Sequence, residues 1–224
     1  MSELDEDQSA VVYQAMGPLL IVAGAGSGKT RTLIHRIRHF IESGISPDRI
    51  LLLTFTHRAA KDMVERLHRH IDQPVDLWAG TFHGVGVRLL RDAATRIGYT
   101  SDFSVLDRWS SARLFGEVFQ EWTEGGGHVE CRPDALLKAY SLSINSGVDL
   151  AYVLSNIPSL RSTNIDSVND LLTEYVAAKF ERNVMDYDDL LTYWQLVMHE
   201  FSDYAHEIRS RFDAVLVDEY QDVN

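Results

Sequence analysis

The chain carries a single cysteine, Cys131, among its 224 residues. That excludes an internal disulfide and any metal site built from several thiolates, and it fits a reducing compartment. No apolar run approaches the ~20 residues needed to span a bilayer. The first residues, Met1-Ser2-Glu3-Leu4-Asp5-Glu6-Asp7, are acidic and polar, the opposite of a secretory signal. A cytoplasmic location with no membrane partner follows as the expectation. There is no internal repeat and no low-complexity tract, and the nine histidines show no metal-ligand spacing. Net positive charge is lacking too. The formal charge is −12, which by itself argues against a broad phosphate-binding surface. The basic residues are nevertheless uneven: 12 of the 21 Lys and Arg fall between Lys29 and Arg96, so a local basic face is available. The hydrophobic share, 45%, is ordinary for a chain that buries a core.

Along the chain, Leu4 to Met16 reads as a short helix with Ser2 or Asp5 as N-cap. Leu19–Ala23 reads as a strand, followed by a glycine-rich turn and a helix to about Ser43. Ile50-Leu51-Leu52-Leu53-Thr54 is a wholly apolar second strand of the kind found in parallel sheets covered on both faces. A helix carrying Ala60, Met63, Val64, Leu67 and Ile71 at three-to-four spacing comes next, then a third strand, Val75–Ala79, and a helix through Leu89 to Ile97. Alternating strands and helices predict an α/β fold with a parallel sheet and flanking helices. From Phe103 to Arg182 the patterns are helical, with no convincing strand. Two more helices, Tyr187–Glu200 and Ser202–Ser210, lead to a last strand, Ala214–Val217. The four tryptophans, Trp78, Trp109, Trp122 and Trp194, are expected in the core, Cys131 is expected to be inert, and His68 with His70 is expected on a solvated helix face.

Two segments carry chemistry. Ala23-Gly24-Ala25-Gly26-Ser27-Gly28-Lys29-Thr30 sits between a strand and a helix, the context of a phosphate-binding loop. Its glycines allow backbone N–H groups to turn inward around phosphate oxygens, and the helix directs its positive end at them. Lys29 reaches the β- and γ-phosphates, and the Thr30 hydroxyl ligates Mg²⁺. The strict pattern opens on glycine, and Ala23 stands there instead. The second segment, Ala214-Val215-Leu216-Val217-Asp218-Glu219, is an apolar strand ending in two carboxylates. Asp218 at the strand tip suits Mg²⁺, and Glu219 suits activation of an attacking water. An Asp-Glu pair alone is common; paired with the loop it reads as a Walker B motif. Transfer of phosphoryl to water is favoured over transfer to a hydroxyl because a Glu follows the metal-binding Asp.

Further motifs, in order, resemble those of superfamily 1 DNA helicases of the UvrD/Rep/PcrA type. Leu4-Asp5-Glu6-Asp7-Gln8 is similar to the family's Q motif, and Ala23 to Thr30 with Arg31 to motif I. Thr54-Phe55-Thr56-His57-Arg58-Ala59-Ala60 resembles motif Ia, with His57-Arg58 in place of Asn-Lys. Gly80-Thr81-Phe82-His83 resembles motif Ib, Tyr187-Asp188-Asp189-Leu190-Leu191 the DDLL segment, and Asp218-Glu219-Tyr220-Gln221-Asp222 motif II. The resemblance covers nearly the whole chain. It implies a P-loop RecA-like parallel sheet interrupted by an all-helical insertion: 1–102 as the first part of a 1A-like ATPase domain, 103–184 as a 1B-like insertion, and 185–224 as the ATPase continuation.

The resemblance also implies roles. ATP and Mg²⁺ are the cofactors, with Gln8 on the adenine, and Ala23 through Thr30 and Arg31 around the phosphates. Single-stranded DNA and single-strand/duplex junctions are the partners. Phe55 stacks on a base, Thr54, Thr56, His57 and Arg58 contact or position the backbone, and Thr81, Phe82 and His83 line the same track. Without the motifs, Phe55 reads first as core, His83 as a satisfied histidine at a helix start, and Asp188 and Asp189 as caps of the Tyr187 helix. The family's motifs III to VI, with two arginine fingers and a second RecA-like domain, do not occur in this sequence. The expectation is therefore a truncated or partial chain that is inactive alone and belongs to an ATP-dependent 3′-to-5′ helicase of DNA repair or replication. Three alternatives stand beside it: the front end of a RecB/AddA-like helicase-nuclease, a non-catalytic nucleotide-binding interaction module, and a generic P-loop kinase.

Overall fold

The computed structural model describes residues 4–24, 26–69, 71 and 76–222. The packing divides them into two compact units, residues up to Val85 together with those from Asp203, and Gly86–Ser202. The expected helical insertion, 103–184, lies inside the second unit, which is wider at both ends.

The first unit is built on three parallel strands in the order β2-β1-β3, with β1 Ile50–Thr54, β2 Trp78–Thr81 and β3 Ala214–Val217. The central strand is the apolar run. Ile50 and Leu52 are wholly buried, sharing a core with Leu33, Ile34, Ile37 and Phe40 of α2 (Lys29–Glu42) and with Met63 and Leu67 of α3 (His57–His68). Truncating such a residue to alanine costs about 2–5 kcal/mol. Helix α1, Glu6–Tyr13, is shorter than the sequence pattern suggests. Asp5 is its N-cap. The Asp5 carboxylate accepts from the Gln8 N–H at 2.8 Å, and the Gln8 side chain accepts from the Asp5 N–H at 3.3 Å, a reciprocal box that fixes the helix start.

One expectation fails here. Leu19–Ala23 belongs to no strand among the described residues. Leu19 and Ile21 are half-buried, whereas Leu20 and Val22 are 70% and 88% exposed. The alternation is that of an extended segment with one covered side, but its backbone makes no ladder with β3. The third strand also starts later than its pattern, at Trp78, and Val75 lies outside the described residues.

The second unit is largely helical: α5 Arg108–Glu124, α6 Pro133–Ser146, α7 Leu150–Asn156, α8 Ile165–Glu181 and α9 Tyr187–Glu200. Leu114, Phe115, Leu136, Leu171 and Tyr175 form its centre, with the Phe115 and Tyr175 rings edge-to-face at 5.1 Å. Its first residues complete α4 (Phe82–Ala93). Tyr99, farther along, packs edge-on against Phe180 and Tyr193, which draws the flanking residues into this unit. A correction concerns strands: Ser104–Val105 pairs in parallel with Val184–Met185. Two residues are too few to leave a periodic signature. Trp109 is likewise not in the core. It is 71% exposed in the first turn of α5, off the buried stripe of Leu114, Phe115 and Val118, with the Arg113 guanidinium 5.5 Å from its ring. Trp78 is buried, and Trp122 and Trp194 are half-buried.

Candidate functional site

The three strands of the first unit are parallel, so their carboxyl ends lie along one edge. Thr54 stands opposite Thr81, and Leu53 opposite Val217, with the Asp218 N–H donating to the Leu53 carbonyl at 2.8 Å. In open parallel sheets the crevice beyond these ends is where ligands bind.

The phosphate loop is folded on itself. Gly26 and Gly28 have φ of 77° and 86°, a left-handed conformation that a side chain resists. The Lys29 ammonium donates to the carbonyls of Ala23 and Gly24, each at 3.1 Å, and the Ser27 hydroxyl donates to Gly24 at 2.8 Å. Helix α2 starts directly from Gly28 with no side-chain cap and no acidic residue in its first turn, so its positive end is uncompensated. Thr30 is half-buried in that turn; Ala25 lies outside the described residues.

Gln8 packs on the loop from α1. Its amide nitrogen donates to the Ser27 carbonyl at 2.9 Å, and its amide oxygen accepts from the Arg31 guanidinium. A Cβ on Gly28 would come within 2.9 Å of the Gln8 amide.

Ala23, Lys29, Leu33, Asp218, Glu219 and Gln221 are among the residues around a cavity of about 1130 Å³. The Asp218 carboxyl is pushed up from its ordinary value by burial and by the like charge of Glu219, against the pull of the Glu219 backbone N–H and of Lys29. Glu219 is exposed with φ of 53°, unusual for a residue with a side chain, and the Gln221 amide donates to its carboxylate. The residues fit a nucleotide with Mg²⁺. The loop offers glycines where inward-turned amides need them, Thr30 and Asp218 are hard oxygen donors, and Mg²⁺ takes one or two such ligands plus phosphate and water.

Of the expected DNA-contacting residues, Phe55 is 63% exposed at the end of β1, which excludes the core reading. Thr56 caps α3, its hydroxyl accepting from Ala59 at 3.1 Å, and His57 and Arg58 are exposed beside it. Phe82 is half-buried and His83 exposed. Thr54 and Thr81 are buried instead. The Thr54 hydroxyl donates to the Thr56 carbonyl at 2.9 Å, and the Thr81 hydroxyl accepts from Gly84 at 3.1 Å, so both hold strand ends rather than face solvent. Gly84 lets the two segments close up: a Cβ there would stand 3.2 Å from the His57 ring.

Asp188 and Asp189 part company. Asp188 is half-buried and accepts from Asn145 at 2.7 Å. Asp189 is buried in the second unit with Asp186, forming the reciprocal cap of α9, and both carboxylates take the buried Lys179 ammonium, at 2.7 and 2.8 Å. The Tyr175 hydroxyl donates to Asp186 at 3.0 Å. Sequence reasoning missed Lys179 and Asp186. The signal was present: Lys179 continues the stripe Val168, Leu171, Leu172, Tyr175 at helical spacing, where a cation requires a partner.

The family model described as UvrD/REP helicase N-terminal domain matches residues 4–224. The chain belongs to the UvrD/REP helicase family. It is similar to the ATP-dependent DNA helicase UvrD1 of Mycobacterium leprae, 35% identical over 98% of this chain and 28% of that protein. It is also similar to the ATP-dependent DNA helicase PcrA of Leuconostoc citreum, 32% identical over 99% of this chain and 29% of that protein. PcrA of Staphylococcus aureus strain Mu50 is 31% identical over the whole chain and 30% of its own length. The chain thus spans about three tenths of the length of these relatives. Its parallel sheet flanked by helices agrees with the α/β expectation for such a domain.

Proposed function

We propose that this chain is the ATP-binding portion of an ATP-dependent DNA helicase that moves 3′ to 5′ along single-stranded DNA and opens duplex at junctions. The observation that carries the reading is the cavity shared by Ala23, Lys29, Asp218 and Glu219 at the carboxyl edge of the sheet. Lys29 leaves its loop carbonyls for the β- and γ-phosphates, and its charge offsets theirs. Thr30 and Asp218 hold Mg²⁺, which neutralises developing charge on the phosphates when bound. Glu219, tethered by Gln221, orients a water and accepts its proton. Gln8 recognises the adenine edge from its seat on the loop. Phe55, Thr56, His57, Arg58, Phe82 and His83 supply a single-strand track by stacking and backbone contact, with Thr54 and Thr81 positioning it. Residues 1–102 with 185–224 act as the 1A-like domain and residues 103–184 as the 1B-like insertion. The 224 residues themselves bind Mg·ATP.

The test is equilibrium binding of Mg·ATP to the chain and to Lys29→Ala. The variant is expected to lose roughly 30–100-fold in affinity, the worth of one or two charge-assisted hydrogen bonds. An unchanged affinity in a folded variant refutes the assignment.

A further inference from the structure

Helix α1 carries Gln8 but has few means of holding itself in place. It spans eight residues, buries one side chain, Val12, and has no basic residue in its last turn to complement its carbonyl end. Its acidic first turn, Glu6 and Asp7, suits the positive end of the helix dipole; the negative end has no cation of its own. That cation comes from α2. The Arg36 side chain is 6% exposed, and its guanidinium donates to the carbonyls of Val11, Val12 (3.4 Å) and Gln14 (3.2 Å). These are carbonyls that a helix end leaves without intrahelical partners. The guanidinium also lies 4.8 Å from the centre of the Phe40 ring, which fixes it from the other side. The Tyr13 and His39 rings meet edge-on at 5.0 Å just beyond. At the opposite end of α1, Gln8 meets Ser27 and Arg31. The two helices therefore run alongside each other in the same direction, joined at one end by Gln8 and at the other by Arg36.

We infer that Arg36 is a positioning residue for base recognition: by gripping the carbonyl end of α1 it sets the place of the Gln8 amide beside the phosphate loop. This rests on the proposed role of Gln8 and extends it to a residue whose own hydrogen bonds go to α1 carbonyls. Arg36 suits the task because its guanidinium stays charged when buried and presents one terminal nitrogen, Nη1, to all three carbonyls while its carbon lies over the Phe40 ring. The separation of roles is sharp. Triphosphate binding depends on the loop and Lys29, whereas the hydrogen bonds of Arg36 go to α1 carbonyls, and adenine preference depends on where α1 sits.

The experiment measures affinity of the chain for Mg·ATP, Mg·GTP and Mg·tripolyphosphate. Variants are Arg36→Met, which keeps an unbranched apolar stem, Arg36→Lys, which keeps the charge, and Gln8→Ala. Arg36→Met is expected to lower ATP affinity about five- to tenfold, the size of one or two hydrogen bonds, and to leave tripolyphosphate and GTP within about twofold. The ATP-over-GTP preference then falls as it does in Gln8→Ala, and Arg36→Lys lies between Arg36→Met and the parent. Should Arg36→Met fail to fold, Arg36→Lys carries the same test. If Gln8→Ala loses the preference and the Arg36 variants keep it, the inference is overturned while the reading of Gln8 stands. If all three ligands weaken equally in the Arg36 variants, Arg36 merely supports the fold and the inference falls. If Gln8→Ala itself keeps the preference, the base-reading role falls, and the inference with it.

Discussion

Replacing Lys179 by methionine tests whether the buried cluster of the second unit is a closed set of compensating charges. Lys179 is wholly buried, and the side chains of Asp186 and Asp189 are 7% and 8% exposed. One ammonium serves two carboxylates, so the pair cannot ionise with equal ease. Burial pushes the Asp189 carboxyl up to about 6, with the adjacent Asp186 charge adding to the rise against the pull of Lys179. Burial opposes ionisation of Asp186 as well, but Lys179, the Asp189 backbone N–H and the Tyr175 hydroxyl hold it below its ordinary 3.8. Removing the ammonium leaves two buried carboxylates uncompensated, which costs about 3–5 kcal/mol in comparable breaks. An independent route gives the same size: holding one proton on a carboxylate across three pH units above its ordinary value costs about 4 kcal/mol.

The pH dependence supplies the sharper test. In the parent chain the raised Asp189 value means that the folded state keeps a proton the unfolded state has lost. That contribution is fully present below 3.8, falls away as pH rises to about 6, and is flat above. The depressed Asp186 value works oppositely, contributing stability above 3.8 that is lost as pH falls. In Lys179→Met both carboxyls are raised, so the variant continues to lose stability between pH 6 and 8 where the parent is flat in these groups. Urea unfolding followed by tryptophan fluorescence reads this unit directly, since Trp109, Trp122 and Trp194 all lie within 86–202. The gap between parent and variant is expected to widen by about 1.4 kcal/mol per pH unit for each proton retained. Adding Asp189→Asn to Lys179→Met is expected to recover part of the loss. A gap below about 1 kcal/mol, the range of exposed pairs, or one independent of pH, refutes the closed-cluster reasoning.

Three further outcomes are expected. Phe55→Ala weakens single-stranded DNA binding about 5- to 100-fold, the range of one lost stacking contact, and leaves Mg·ATP affinity in the absence of DNA unchanged; titration of a labelled oligonucleotide decides it, and an unaltered affinity removes Phe55 from the track. Gly28→Ala meets both a left-handed φ of 86° and the Gln8 amide 2.9 Å from the new Cβ, so ATP and tripolyphosphate affinity fall together; full retention of both by calorimetry contradicts the need for glycine there. Gly127→Ala places a Cβ 2.3 Å from the Trp122 ring, which lies against the α5 end that the Gly127 N–H closes by donating to Trp122 at 3.0 Å. A loss of about 1–3 kcal/mol in urea unfolding follows, and an unshifted midpoint shows that the ring relocates freely.

The parts of this chain that sequence discloses share one property: their signal is local. Three- and four-residue spacing marks α3, α5 and α8, the apolar run marks β1, and the glycines mark the loop because left-handed backbone needs them wherever it occurs. What escapes is the partner of each group. Lys179 falls on the buried stripe of α8, and Asp186 sits three residues before Asp189, a spacing that announces a helix cap; neither position says that all three meet. The same limit explains the threonines. Thr54 and Thr81 end strands in motifs that suggest solvent-facing contacts, yet the register that sets them opposite each other also turns their hydroxyls inward, onto Thr56 and Gly84.

Leu19–Ala23 shows the limit most plainly. An apolar run reports that a segment loses free energy in water, roughly 25 cal/mol for each Å² of exposed apolar surface. It does not report which backbone will pair with it. Here Leu19 and Ile21 find cover, Leu20 and Val22 do not, and the run borders a cavity whose other wall is β3, where Val215 is itself 57% exposed. An unladdered apolar run across a cavity from the outer edge of β3, which pairs only with β1, leaves backbone groups without strand partners. The loop that begins at Ala23 is anchored at its far end by α2, through the cluster of Leu33, Ile34, Ile37 and Phe40, and at its near end by this unpaired run. The loop's near end is thus the softer of the two, and the two carbonyls that Lys29 holds, Ala23 and Gly24, are at that end. A phosphate that draws Lys29 away releases those carbonyls, so the ligand and the run at Leu19–Ala23 compete for one ammonium. Amide exchange at 19–23 is therefore expected to change on tripolyphosphate binding while that of β1 stays constant; an unchanged pattern at 19–23 in a chain saturated with ligand refutes the coupling.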